Sequence, residues 1–234
     1  MSYSNGPRIV ADGLVLCLDA SNSKSYPGSG SVWYDLSGRD NNGTIYSVPF
    51  VESNVNYFNF TLNANPCRID VAHSSDFNYD YNNWTYSMWT QIDFDDNGPY
   101  TQFFIKGNDS GDRRPGIWFL AGATDRFHVT WNAAGYGQNV YNTPAETTLP
   151  LNTWHNFVFV ARTDNTLSVY KNGVFNSQMF ITDRPTNTGP IHIGRYSYRC
   201  PAMKMCQFAC YNRGLSDNEI QQNYNALKGR FGLS

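Results

Sequence analysis

The chain has 234 residues, a formal net charge of −2, 16% aromatic residues and only 15% charged residues. A charge this small provides no basic surface for nucleic acid, and no apolar run approaches the roughly 20 residues of a membrane span, so we expect neither nucleic-acid binding nor membrane insertion. A chain of this length can bury roughly 70 to 75 per cent of its unfolded surface, and one all-β domain would use all of it.

The N-terminal segment is predicted to be an arm. Residues 1–12 show no periodicity, and the first eight lack the charged and apolar regions of a secretory signal. We therefore expect an arm over residues 1–12, one domain over residues 13–234, and folding in a cytoplasm. The five cysteines are odd in number and irregularly spaced, which favours small buried hydrophobes in a reducing compartment over a disulfide framework or a zinc site.

Short strands with turn-rich connections are predicted along the first half. Residues 13–20 are apolar at almost every position, which predicts a strand buried on both faces. Residues 22–43 are rich in Gly, Pro, Asn and Ser, and we expect a long ordered loop carrying the aromatic residues Trp33 and Tyr34. Residues 84–92 alternate as a half-buried strand with Trp89 as the exception. Its predicted inward side chains are Trp84, Tyr86, Met88 and Ile92.

The second half continues the pattern and ends in one helix. Asn172 and Gly173 form a strong two-residue hairpin signal after the strand at residues 167–171. Ser216 and Glu219 have the spacing of a capping box, which predicts that a helix begins there. We place its left-handed C-cap at Gly229, and we expect the helix to dock on a sheet. Further strands are predicted at residues 57–60, 68–71, 103–106, 116–120, 126–131, 157–162, 191–196 and around 208–212.

These strand and helix patterns resemble the laminin-G-like branch of the concanavalin A-like lectin/glucanase superfamily over nearly the whole chain. The resemblance implies an all-β, jelly-roll sandwich of two antiparallel sheets (concanavalin A-like) with one short C-terminal helix. Within that branch, residues 35–44 and 211–216 are similar to the versions carried by structural proteins of tailed bacteriophages, particularly cyanophages.

The resemblance to a superfamily that includes glucanases raises the possibility of a catalytic pair of carboxylates. Glycosidases need two carboxylates flanking the scissile bond. The three glutamates are far apart in sequence, and the nearest acidic cluster lies in a turn, without the Glu-rich strand motif of the glucanases. We therefore expect no enzyme activity, with a glycoside hydrolase as the least favoured alternative. The carboxylates considered are Glu52, Glu146, Glu219, Asp93, Asp95 and Asp96.

One loop offers oxygen ligands for calcium. Laminin-G-like domains often bind this ion on a rim loop, and Asp35, Asp40 and Asn42 lie in one Gly-containing loop. Asp and Asn also stabilise turns by bonding their own backbone. Calcium ligation and turn formation both remain open, and no other cofactor is predicted.

Loop aromatics and arginines are candidates for carbohydrate or partner binding. Aromatic rings stack on sugar faces, but Tyr and Arg are equally enriched at protein interfaces. The sequence does not separate a sugar platform from a subunit contact. The candidate residues are Tyr34, Tyr136, Tyr141, Tyr196, Tyr198 and Arg199.

Two functions compete on this basis. The first is a virion structural protein, either a capsid decoration or a head or tail appendage subunit, assembled in the bacterial cytoplasm. Its partners would be other virion proteins and copies of itself, with residues 1–12 as the tie and surface polysaccharide as a further ligand. The second is a carbohydrate-binding, lectin-like recognition module.

Overall fold

Two antiparallel sheets pack face to face, and one short helix covers the outer side of the first sheet. The fold is a mostly-β, jelly-roll sandwich, as the sequence predicts. The computed structural model describes residues 8–61, 64, 66–78, 83–93, 101–108, 112–120, 126–130, 139–142, 150–181, 187–195 and 202–234.

The first sheet has the strand order β14-β13-β12-β7-β16-β5-β4, with β1 also pairing with β16. β16 is central because β7 lies on one side and both β5 and β1 lie on the other. The strands are β1 (Leu14–Asp19), β4 (Phe50–Val51), β5 (Tyr57–Phe60), β7 (Trp84–Ile92), β12 (Trp154–Ala161), β13 (Thr166–Lys171), β14 (Val174–Phe180) and β16 (Met203–Tyr211).

The second sheet has the order β11-β10-β9-β8-β15-β6-β3-β2. Its centre joins β8 and β6 through β15, so strands far apart in sequence become neighbours. The strands are β2 (Val32–Trp33), β3 (Gly43–Tyr46), β6 (Cys67–Val71), β8 (Thr101–Asn108), β9 (Asp112–Leu120), β10 (Arg126–Thr130), β11 (Asn139–Asn142) and β15 (Ile191–Arg195).

The core between the sheets is aromatic. Tyr86 of the first sheet contacts Phe104 of the second at 4.7 Å between ring centroids, and Phe104 meets Phe208 edge-on at 5.1 Å. Such tilted and edge-on pairs stabilise beyond the area that they bury. The predicted inward side chains of β7 are confirmed, since all four belong to this core: Trp84, Tyr86, Met88 and Ile92.

The exception in β7 is explained by the C-terminal helix. Trp89 points away from the core and stacks on Tyr224 at 5.7 Å and on Phe231 at 4.0 Å between ring centroids. Both partners come from the segment that covers the first sheet, namely α1 (Asp217–Leu227) and the 3₁₀ turn Lys228–Phe231. β7 is therefore buried on both faces.

The predicted capping box is confirmed at the start of α1. The Ser216 hydroxyl accepts a hydrogen bond from the Glu219 backbone N–H at 3.4 Å, and the Glu219 carboxylate accepts one from the Ser216 backbone N–H at 2.8 Å. Leu215 and Ile220 are both buried in one cluster, as a hydrophobic staple requires.

The left-handed C-cap predicted at Gly229 is wrong, although α1 itself ends just before that residue, at Leu227. The left-handed residue is Gly232, with φ of 71°, not Gly229. A Schellman motif closes the chain there, because Gly232 N–H bonds to Gly229 O at 3.3 Å and Leu233 N–H bonds to Lys228 O at 3.1 Å. The extra 3₁₀ turn carries Phe231 onto the first sheet, and this packing overrides the earlier glycine as a stop signal.

The described part of the N-terminal arm is bound to its own domain. Val10 N–H donates to Asn223 Oδ1 at 2.7 Å, Tyr211 Oη donates to Val10 O at 3.1 Å, and Gln222 Nε2 donates to Arg8 O at 2.8 Å. Residues 8–12 therefore contribute to the covering of the first sheet, whereas the predicted tie to a neighbouring subunit comprised all of residues 1–12. Residues 1–7 lie outside the described residues.

The hairpin turn and the described cysteines agree with the sequence predictions. Asn172 and Gly173 form the predicted hairpin turn, both with positive φ, of 52° and 78°. The four described cysteines are buried, as expected of small core residues: Cys17, Cys67, Cys206 and Cys210. Among the described residues, no helix is long and apolar enough to cross a membrane.

Candidate functional site: the outer face of the second sheet

The two sheets differ in what lies on their outer sides. Much of the first is covered by α1, by the 3₁₀ turn after it and by residues 8–12. The second sheet instead carries polar and aromatic side chains on its outer side. We call this surface the second-sheet face.

Strand alternation shows which residues form this face. Ile69 and Ile193 are fully buried core residues, so their strand neighbours point to the opposite side of the sheet. Residues opposite each other on paired strands share a side, which extends the assignment across the sheet. The second-sheet face includes Thr44, Tyr46, Arg68, Asp70, Gln102, Ile105, Trp118, His128, Thr130 and His192.

The exposed half of the face is organised around Asp70. Its carboxylate receives Arg68 Nε at 2.9 Å and lies 2.6 Å from His192 Nδ1. The Arg68 guanidinium lies over the Tyr46 ring, 4.5 Å from its centroid. Cross-strand register causes this arrangement, because Asp70 is opposite His192 while Arg68 is opposite Tyr46.

Exposure in this half changes in steps across the sheet. Tyr46 is 39% exposed and His192 only 4% exposed, while the Asp70 side chain is 18% exposed. The result is an aromatic ring at the rim, an ion pair beside it and an imidazole towards the centre. Rings bind the apolar side of a ligand, whereas a carboxylate and a guanidinium bond its hydroxyls or charged groups.

The buried half adds an aromatic floor. The Trp118 ring lies directly against Gly116, where a Cβ would stand only 2.2 Å from the ring. Gln102 Nε2 donates to Gly194 O at 2.7 Å, whereas no described residue donates to its buried Oε1. His128 meets Trp118 edge-on at 5.7 Å between ring centroids. This half is closed in the structure, so a ligand would first meet the exposed half.

Of the residues predicted from sequence to bind carbohydrate or a partner, Tyr34 is the one whose side chain the structure describes. Tyr34 is 45% exposed, and its backbone N–H bonds to Ser25 O at 2.7 Å. Trp33, expected beside it on a loop, is instead fully buried, 4.6 Å from the Phe58 ring, because residues 32–33 form a short strand against the core. The Tyr141 backbone lies in β11, but its side chain is outside the described part. Tyr136, Tyr196, Tyr198 and Arg199 also lie outside it.

The candidate calcium loop has the bonding of a structured turn. The Asp35 carboxylate accepts hydrogen bonds at 2.6 to 3.1 Å from donors within the loop and on β1. These bonds satisfy both oxygens with N–H and O–H groups, which gives Asp35 a structural role. The donors are Cys17 N–H, Ser37 N–H, Ser37 Oγ–H and Asn41 N–H.

The other two predicted ligands also belong to the turn. Asn42 Oδ1 accepts the Asp35 N–H at 2.8 Å, and Asp40 has the left-handed φ of 58°. In the described ranges, no three His, Cys, Asp or Glu residues form a group that could hold a metal ion. Calcium binding here stays a prediction.

The carboxylates considered for catalysis are dispersed where the structure describes them. Glu219 belongs to the helix cap, and Asp93 receives Gln91 Nε2 at 3.0 Å. Glu52 is exposed near β4. Glu146, Asp95 and Asp96 lie outside the described residues.

The fold and this face together define a lectin-like β-sandwich: two antiparallel sheets, a helix on one side and a polar, aromatic surface on the other. The family model Laminin_G_3, of the concanavalin A-like lectin/glucanases superfamily, matches residues 68–221. The match covers more than half of the chain, so the protein belongs to this superfamily. No match was found among curated proteins.

Solved structures give the same fold at low sequence identity. The binding domain of Paraclostridial Mosquitocidal Protein 1 is 17% identical with a TM-score of 0.70, over 95% of this chain and 56% of that one. Trypanosoma rangeli sialidase is 18% identical with a TM-score of 0.69, over 97% and 36%, and has also been solved with sialic acid. The botulinum neurotoxin serotype D binding domain is 15% identical with a TM-score of 0.69, over 92% and 52%.

The chain therefore spans roughly a third to just over half of these longer structures. At such identities the likeness shows the fold alone. The arrangement of Tyr46, Arg68, Asp70 and His192 was missed by sequence reasoning. Their sequence signal was weak, since each lies in an ordinary strand pattern and the register alone brings them together.

Proposed function

We propose that the protein is a non-enzymatic carbohydrate-binding module that recognises a surface polysaccharide through the second-sheet face. The observation that carries the proposal is the grouping of an exposed ring, an ion pair and an imidazole around Asp70. A sugar ring has an apolar face and a hydroxylated edge, and this grouping offers a partner for each. The small net charge fits a neutral or weakly charged glycan better than nucleic acid.

The carboxylate inventory supports a binding role over hydrolysis. Asp70 is the single carboxylate among the described side chains of the second-sheet face, and it is held by Arg68 and His192. A glycosidase of the common type needs a second carboxylate about 5 to 9.5 Å away. The proposed module binds the glycan and releases it unchanged.

A glycan array followed by titration calorimetry tests the proposal. The wild type should bind at least one polysaccharide, and Arg68→Ala should weaken that binding by about tenfold, because it removes the cation and the support of the Tyr46 ring. Phe180→Ala is the matched control, since that ring is 75% exposed on the first sheet. Equal binding by the wild type and the Arg68 variant would place the ligand elsewhere.

Within this function, we infer that the chain acts as a structural subunit of a tailed phage particle, as a capsid decoration or a head or tail appendage. The support is the likeness of residues 35–44 and 211–216 to phage structural proteins. In the structure both segments form hydrogen-bonded turns, one around Asp35 and one beside the Arg213–Glu219 pair. The partners would be other virion proteins and copies of the chain.

Mass spectrometry of gradient-purified particles tests the virion role. The chain should be present in a fixed ratio to the capsid protein and should resist removal by repeated sedimentation. Its absence from purified particles would leave the carbohydrate-binding role standing and refute the virion role, so the two parts of the proposal are tested separately.

A further inference from the structure

A second group of aromatic and polar side chains lies on the outer side of the first sheet, beyond the helix. Trp154, Gln91 and Lys204 occupy opposing positions on the neighbouring strands β12, β7 and β16. Tyr57 on β5 and Asp93, just after β7, complete the group. We call these five residues the first-sheet cluster.

The rings of the cluster are held in place from behind. Tyr57 and Trp154 meet edge-on at 6.1 Å between ring centroids, and both are partly exposed. Phe231 packs against Trp154 at 5.1 Å and is itself stacked on Trp89. Because the ring behind Trp154 is fixed, Trp154 offers surface to a ligand at a small entropy cost.

The polar groups stand beside the rings. The Asp93 carboxylate receives Gln91 Nε2 at 3.0 Å and Lys204 Nζ at 3.3 Å, both on Oδ1. A carboxylate accepts about four hydrogen bonds, so it retains capacity for hydroxyl donors. Lys204 Nζ also lies 5.4 Å from the centre of the Tyr57 ring. The side chains of Lys204 and Asp93 are 23% and 25% exposed, so solvent reaches both.

This chemistry selects one class of ligand. The Lys204 charge is balanced by Asp93 at contact distance, which disfavours a phosphate or a polyanion. Two rings disfavour a purely polar ligand, and the carboxylate disfavours a purely apolar one. A pyranose ring fits both parts, with its C–H face on an aromatic ring and its hydroxyls towards Asp93 and Lys204.

We propose that the first-sheet cluster is a separate binding site for an uncharged hexose unit. The cluster contains no residue of the second-sheet face and lies on the other sheet, so the proposal can be tested independently of the function proposed above. With both sites occupied, the module would hold a polysaccharide at two points, and avidity would raise its overall affinity.

Saturation-transfer NMR with methyl glycosides of glucose, galactose and mannose at millimolar concentration tests the proposal. The wild type should give transfer to the C–H protons of at least one glycoside, and Asp93→Asn should weaken its affinity by about tenfold, which corresponds to about 1.4 kcal/mol. Because the second-sheet face is itself proposed to bind sugar, the variants are compared in an Arg68→Ala background, which should retain transfer from the first-sheet cluster. In that background Trp154→Ala should abolish the transfer and Trp154→Phe should retain part of it, while Phe180→Ala should change nothing.

The variants separate the outcomes. Trp154→Ala also removes a contact with Phe231, so near-ultraviolet circular dichroism must show native packing; if it does not, Asp93→Asn and Trp154→Phe decide the result. No transfer from any glycoside to the wild type would overturn the proposal. So would transfer that Arg68→Ala abolishes and Asp93→Asn leaves unchanged, because that pattern assigns the sugar to the second-sheet face.

Discussion

Replacing Glu219 by Gln should reveal how strongly the start of the C-terminal helix is anchored. The Glu219 carboxylate receives Arg213 Nη2 at 2.6 Å and Nη1 at 3.0 Å, as well as the Ser216 backbone N–H at 2.8 Å. The Arg213 hydrogen bonds, followed by the Ser216 N–H, lower the Glu219 pKa from 4.5 to about 2. Gln also serves in capping boxes, so the substitution isolates the ion pair.

The magnitude follows from that pKa and from exposure. Each pKa unit corresponds to about 1.4 kcal/mol, which sets an upper limit of about 3.5 kcal/mol. The Glu219 side chain is 28% exposed, and solvent screening reduces such a pair to about 1 kcal/mol. The folded pKa lies below the unfolded one, so this stabilisation is present above about pH 4.5 and is lost as the pH falls towards about 2.

Urea unfolding followed by tryptophan fluorescence, at neutral pH and at about pH 3, measures this difference. We expect Glu219→Gln to lower the free energy of unfolding by about 1 kcal/mol at neutral pH and by much less in acid. Glu52→Gln makes the same chemical change at an exposed position. The reasoning would be refuted if the loss of unfolding free energy in Glu219→Gln were the same at both pH values. It would also be refuted if Glu52→Gln lost as much unfolding free energy as Glu219→Gln.

Three further outcomes follow from packing and burial. Phe231→Ala should lower the free energy of unfolding in urea by about 2 to 4 kcal/mol, while the exposed Phe180→Ala stays within about 0.5 kcal/mol; equal effects would contradict the stacking on the first sheet. Gly116→Ala should cost about 1 to 3 kcal/mol in thermal unfolding, since its Cβ would meet an indole at 2.2 Å; an unchanged melting temperature would argue against that ring position. Burial raises the pKa of Cys17 to about 12 and that of Cys206 to about 11, so neither thiol should react as a thiolate in the folded protein. Peptide mapping after treatment with iodoacetamide at mildly alkaline pH should find both thiols unmodified in the native protein and modified in urea. Labelling of the native protein would contradict their burial.

Local signals predicted the fold well because they report on chemistry within a few residues. The capping box needs only Ser216 and Glu219, and the hairpin needs only Asn172 and Gly173. The left-handed cap was misplaced because Gly229 satisfies the same local rule as Gly232. The choice between the two glycines depends on Phe231 reaching Trp89, which is a contact between distant segments.

The second-sheet face was not predictable for the same reason. Arg68 and Asp70 are neighbours in the chain, but His192 is 122 positions beyond Asp70, and only the register of β15 against β6 brings them to 2.6 Å. The period-two alternation of a strand predicts which of its side chains point out of the sheet. It does not predict which strand is its neighbour. Aromatic residues in predicted loops, in contrast, can be recognised from the sequence alone. Most of the candidates chosen in that way lie outside the described residues.

The covering of the first sheet and the support of the first-sheet cluster both depend on one side chain, Phe231. Phe231 stacks on Trp89 under the helix and also supports Trp154 beside the proposed sugar position. The 3₁₀ turn that ends before Gly232 brings Phe231 to this place. A chain that turned away at Gly229 would remove the Phe231 ring from both Trp89 and Trp154, and would leave Tyr224 stacked on Trp89. The C-terminal turn therefore links the stability of the sandwich to the geometry of its proposed second site, whereas the second-sheet face is positioned by strand register alone.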